Sequence, residues 1–72
     1  MNIEELKRRR QAVGAALEDV AALIGVRAST VSRWERGAVD PHALMLRGWV
    51  EAIELLEERV NARADIDPEE AA

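Results

Sequence analysis

The 72-residue chain is 49% hydrophobic and carries a formal net charge of −4, which suits one compact domain and excludes a second. Because it contains no cysteine, a disulfide framework and a thiolate zinc site are excluded. No apolar run approaches the roughly 20 residues that span a bilayer, and the N-terminal MNIEELKRRR lacks the apolar core of a secretion signal, so we expect a cytoplasmic protein without a membrane partner.

The charge is divided unevenly along the chain. Residues 1–37 hold seven basic and five acidic residues, whereas residues 38–72 hold three basic and nine acidic ones. A basic binding face on the first part is therefore compatible with the negative total, and the acidic second part limits non-specific contact with polyanions.

Breakers divide the chain into segments whose apolar residues recur at helical spacing, and no strand pattern appears. The breakers are Gly14, Gly25, Gly37 and Pro41. The predicted helices span about residues 2–13, 17–24, 28–36 and 41–63. Asn2 is the expected N-cap of the first helix, and Pro41 suits the first turn of the fourth. We expect a domain over residues 1–64 and a disordered acidic tail, DIDPEEAA, over residues 65–72.

The second and third segments are joined by the short turn IGVR. Such a turn is too short for antiparallel packing, so the two helices should cross steeply, and the small Ala21 lets them approach closely. This is the geometry of a helix-turn-helix.

The third helix has two faces on a helical wheel. The apolar face packs on the domain and carries Thr30, Val31, Trp34 and Glu35. The polar face carries Ala28, Ser29, Ser32, Arg33 and Arg36. A major groove suits the polar face, because hydroxyls bond bases or phosphates and arginine grips guanine.

Two charged residues fall on faces that should be buried. Arg10 lies on the apolar stripe of the first helix, and Glu35 lies on the docking face of the third. Since each alone would be a costly buried charge, we predict a partly buried ion pair that ties the two helices together. The alternative is two solvated ends of amphipathic helices.

The stretch LEDVAALIGVRASTVSRWERGAVDP resembles the lambda-repressor and Cro-like helix-turn-helix family. That family has a helix with a central Ala, a Gly turn, a recognition helix ending in Trp-Glu-Arg-Gly, and a Pro after a short loop. The resemblance covers about residues 3–56 and implies an all-α domain of four to five helices, which here carries an extended C-terminal helix. It also implies a salt bridge at the positions of Arg10 and Glu35. The resemblance further implies which residues face the bases and backbone of DNA: Ala28, Ser29, Thr30, Ser32 and Arg33.

The sequence departs from the family pattern at both helix starts. Ala16 and Leu17 stand where a Ser or Thr cap and a Gln are common, and Arg27 replaces the Ser that often caps the recognition helix. Alanine cannot cap through its side chain, whereas Arg27 can reach a phosphate. Direct readout then rests on few residues, and sequence preference depends partly on DNA shape.

A second basic group, Lys7, Arg8 and Arg9, has two open interpretations. It contacts the phosphate backbone, with Arg9 in the DNA-binding set, or it is a solvated face paired with glutamates of its own helix. Arg36 is also expected to contact phosphate.

Apolar residues of the fourth helix recur at heptad spacing. We expect Trp49, Ile53, Leu56 and Val60 to form a dimerisation seam, with Trp49 also contributing to the core. A symmetric homodimer would hold two recognition helices about 34 Å apart. The alternative is that this helix folds back on its own domain.

Groups for catalysis are lacking. His42, the only histidine, has no cysteine or second histidine to share a metal, Ser29 and Ser32 have no evident base, and no glycine-rich phosphate loop exists. We therefore expect no enzyme, no cofactor, no metal and no small-molecule ligand.

The expected function is specific binding of double-stranded DNA at a pseudo-palindromic operator by a homodimeric repressor of phage or mobile-element type. Two alternatives stay open. One is an antitoxin that holds a toxin through its acidic C-terminal part, and the other is a protein-interaction domain without DNA binding.

Overall fold

The computed structural model describes residues 2–64, which fold into four helices. The helices are α1 (Ile3–Ala12), α2 (Leu17–Ile24), α3 (Ala28–Glu35) and α4 (Ala43–Ala64). The all-α fold is thus confirmed, with every helix end within two residues of its predicted place. No helix of this part of the chain is both long and apolar enough to cross a membrane. The predicted tail, residues 65–72, lies outside the described residues.

The helix starts are capped in different ways. The Asn2 side chain accepts the N–H of Glu4 at 2.9 Å, as the sequence predicts for α1. Ala16 has no side-chain acceptor, but the Asp19 carboxylate accepts the Ala16 N–H at 2.8 Å and so satisfies one backbone donor at the start of α2. Arg27 precedes α3 without a side-chain cap.

The turn between α2 and α3 depends on Gly25. Its φ of +89° is left-handed, a region that L-residues other than glycine rarely adopt. The N–H groups of Gly25 and Val26 both donate to the carbonyl of Ala21, at 2.8 and 3.0 Å. The chain then enters α3 at once, and α3 packs across α2.

The fourth helix begins later than predicted. Its first turn is closed by the N–H of Leu46 donating to the carbonyl of His42 at 2.9 Å. Pro41 therefore precedes the helix rather than occupying its first turn. Its fixed φ suits the end of the loop equally well.

All four helices contribute to one hydrophobic core. Its fully buried large side chains are Leu6, Val20, Val31, Trp49 and Ile53. Trp34 is also buried, and its ring centroid lies 5.4 Å from that of Trp49 at an interplanar angle of 37°. Both tryptophans are thus core residues. The buried Trp49 Nε1–H has no hydrogen-bond partner among residues 2–64.

The predicted dimerisation seam is wrong. Trp49 and Ile53 are fully buried inside the single chain, and Leu56 is 9% exposed, because α1 and α2 pack along this side of α4. Of the four seam residues only Val60 is exposed. Heptad spacing indicates an apolar stripe that must be buried. Here it is buried by other helices of the same chain, which is the alternative in which α4 folds back on its own domain.

Candidate nucleic-acid interface

The two faces of α3 are separated as the helical wheel predicts. Val31 and Trp34 are buried against the other helices. Ser29, Arg33 and Arg36 are exposed on the opposite side. The remaining small residues of the helix, Ala28, Thr30 and Ser32, are half-buried at its margins. We call the exposed side, from Arg27 to Arg36, the outer face of α3.

This outer face is positively charged. Arg27, Arg33 and Arg36 are exposed, and none of them forms an ion pair with another residue in the described part of the chain. The only carboxylate of α3 is Glu35, which is turned inward. The outer face therefore offers three guanidinium groups to an anionic partner, and the first turn of α3 adds the positive end of the helix dipole.

Glu35 is held inward by Arg10 of α1. Arg10 Nε donates to Glu35 Oε2 at 2.6 Å, and Arg10 Nη2 donates to Glu35 Oε1 at 3.0 Å. The side chains are 13% and 6% exposed, respectively. The structure thus brings together the pair that the sequence predicts, in the bidentate geometry that arginine and carboxylate favour.

Arg10 makes one further contact that no sequence pattern predicts. Its Nη1 donates to the backbone carbonyl of Ala15 at 2.8 Å. One guanidinium therefore links α1, the α1–α2 connection and α3. Because Glu35 lies beside Trp34 and Arg36 in the sequence, this link fixes the rotation of α3 and keeps Arg33 and Arg36 pointing outward.

Arg9 forms an ion pair with α4, which argues against its predicted contact with DNA. Its guanidinium bonds both carboxylate oxygens of Glu57 on α4, with Nε to Oε2 at 2.9 Å. The hydrogen bond from Arg9 lowers the pKa of Glu57, against a smaller opposing effect of burial. The sequence indicated partners only within α1, whereas α1 packs beside α4 and meets a carboxylate 48 positions away. Lys7 and Arg8 remain on the surface of α1 without an ion pair among residues 2–64.

The outer face combines hydroxyl donors with arginines over one short helix. With its side chains an α-helix is about 10–12 Å across, which matches the width of the major groove of B-DNA. Among the described residues no group of histidine, cysteine and carboxylate side chains is placed to hold a metal ion. Recognition of an anionic, groove-shaped surface is the chemistry that this arrangement supports.

Comparison with known protein families gives a match over most of the chain. The sequence model of a family described as helix-turn-helix matches residues 6–57. That range contains α2, its glycine turn and all of α3, and it extends into α4 as far as the carboxylate that holds Arg9. No curated protein and no solved structure matches the chain.

Proposed function

The chain belongs to the helix-turn-helix family, so it is a DNA-binding transcription regulator, and we propose that it reads a specific double-stranded operator with the outer face of α3. One observation carries this proposal. The arginines of the described chain that lie inward are paired with carboxylates, whereas Arg27, Arg33 and Arg36 on this face have no acidic partner among residues 2–64. Unpaired guanidinium groups on one face provide the electrostatic footprint of a nucleic-acid site.

The side chains of this face divide between base reading and positioning. Arg33 lies on the exposed side of α3, in its last turn, and is suited to bidentate contact with guanine. Ser29 and Ser32 provide hydroxyls for bases or phosphate, and Ala28 and Thr30 at the first turn provide methyl groups for thymine. Arg27 and Arg36 stand at the two ends of the helix and are suited to phosphate contacts, which fix register without reading sequence.

A homodimeric repressor is the form of this activity that the size of the face favours. Specific DNA complexes bury about 1,000–2,500 Å² of protein surface, which is more than one eight-residue helix presents. Two copies on a pseudo-palindromic operator double the reading face and place both recognition helices on one side of the duplex. A dimer bound within a promoter blocks access of the transcription machinery to that promoter and so represses transcription.

Selection of bound duplexes from a random DNA pool tests the proposal. We expect enrichment of one sequence, present as two inverted half-sites whose centres lie about one helical turn apart. The selected duplex should bind at least about 10³-fold more tightly than a scrambled duplex of the same composition. A pool that stays random after repeated rounds, with equal affinity for the scrambled duplex, would overturn the operator proposal.

A further inference from the structure

An exposed stripe of α4 has no role in the fold or in the candidate interface. Leu44 is 70% exposed, and Leu55, three turns further along the helix, is exposed as well. The two leucines lie only about 20° apart on a helical wheel and about 16 Å apart along the axis. Between them lie the exposed side chains of Arg47 and Glu51. We call these four residues the outer stripe of α4.

This stripe lies away from the core-facing side of α4. Trp49, Ala52, Ile53 and Leu56 form the buried side of the same helix. The stripe adjoins a shallow depression whose apolar floor includes Leu46 and Val50, both half-buried. Scattered exposed leucines are ordinary on protein surfaces. Here, however, two exposed leucines lie on one face of the same helix, on either side of a charged pair that borders this depression.

We propose that this stripe is the contact surface for a second copy of the chain, whose α4 packs against it in the antiparallel direction. A two-fold axis level with Trp49 and Val50 places Leu44 against the partner's Leu55. The same axis places Arg47 beside the partner's Glu51. Both contacts occur twice, because a two-fold interface is self-complementary.

The charges of α4 favour the antiparallel direction over the parallel one. Within the outer stripe, Arg47 lies one turn before Glu51. Parallel packing would set Glu51 against the partner's Glu51, which is repulsive. Antiparallel packing instead sets Arg47 beside the partner's Glu51, and it also opposes the two helix dipoles.

This inference deepens the proposed function, on which it rests for the need of a second copy at the operator. It differs from the rejected seam in every residue. Trp49, Ile53 and Leu56 stay in the core, and the dimer forms on the outer side of the helix without any unfolding of the single domain.

Two charge reversals test the contact between copies. Arg47→Glu alone sets a new carboxylate against the partner's Glu51, and Glu51→Arg alone sets a new guanidinium against the partner's Arg47. Each variant should raise the dimer dissociation constant by about tenfold or more in sedimentation equilibrium. An equimolar mixture of the two variants should form a heterodimer, since every contact then joins opposite charges. Repulsion within one helix cannot produce this rescue.

Controls separate the contact from a general effect of charge or folding. Arg59→Glu makes the same charge change on exposed α4 surface outside the stripe and should leave the dimer unchanged. Leu44→Asp removes an exposed leucine from the first turn of α4, where an acid suits the helix dipole, and should abolish the dimer while circular dichroism stays native. A monomeric wild-type chain, or a mixture that does not associate, overturns the inference. Duplex selection with the same preparations then shows whether DNA binding survives, so the two proposals fail separately.

Discussion

Replacement of Glu35 by alanine tests the link that orients the recognition helix. The substitution deletes the carboxylate that accepts two hydrogen bonds from Arg10, at 2.6 and 3.0 Å. The Arg10 side chain, 13% exposed, then keeps its hydrogen bond to the carbonyl of Ala15. A guanidinium is left largely buried without its counter-charge.

The expected loss of stability is large for a chain of this size. Breaking a buried ion pair by removing one partner costs about 3–5 kcal/mol. A 72-residue domain has a total unfolding free energy of about 4–11 kcal/mol at typical values per residue. Glu35→Ala should therefore remove about a quarter or more of the stability, and DNA affinity should fall with it because α3 loses its orientation.

Urea denaturation followed by circular dichroism gives the free energy, and the other arginine–glutamate pair provides the control. Glu57→Ala breaks the Arg9 pair, whose side chains are 24% and 30% exposed, and should cost only about 0.2–1 kcal/mol. The double variant Arg10→Met with Glu35→Leu removes both charges together and should be more stable than Glu35→Ala alone. Equal losses for Glu35→Ala and Glu57→Ala would refute the reasoning from burial.

Three further predictions concern separate parts of the molecule. Arg33→Ala should cost about 1–3 kcal/mol of discrimination at one base position of each half-site, measured by competition with single-base variants of the operator, and an equal loss on all sequences would make Arg33 a phosphate contact. Glu57→Gln should reduce the loss of unfolding free energy that occurs at acid pH. The hydrogen bond from Arg9 lowers the pKa of Glu57 in the folded chain. The ionised carboxylate therefore stabilises the fold above pH 4.5, and this contribution is lost as the pH falls through the lowered pKa. Gly25→Ala should destabilise the chain by about 1–2 kcal/mol in thermal unfolding, since φ is +89° and no atom lies within 4 Å of the added carbon, so the cost is conformational.

Local patterns predicted most of the fold. Glycine and proline positions indicated the helix ends, and helical spacing indicated the faces, because both act within a few residues of the chain. The Arg10–Glu35 pair is also predictable from local patterns. When two opposite charges lie on two otherwise apolar helix faces, pairing them avoids the free-energy cost of burying either charge alone.

The errors arose where packing between distant segments decides the outcome. The sequence leaves Arg9 open between a phosphate contact and a partner within α1, because its actual partner, Glu57, is remote in sequence. Heptad spacing predicts a dimer contact for Ile53 and Leu56 because such a stripe looks the same whether it is covered by the same chain or by another. The contact of Arg10 with the Ala15 carbonyl involves a backbone group, which side-chain patterns do not reveal.

The salt dependence of duplex binding tests the central claim most directly, that the outer face of α3 is the DNA-binding surface. The logarithm of the binding constant should fall linearly with the logarithm of salt concentration, by about 0.9 for each phosphate neutralised. The double variant Arg27→Ala with Arg36→Ala removes two phosphate contacts from each copy of the dimer and should reduce that slope by about 3.6. The matched variant Arg59→Ala with Arg63→Ala, on exposed α4 surface, should leave it unchanged. A slope that is unaltered in the α3 variant, or reduced equally in both, would contradict the account.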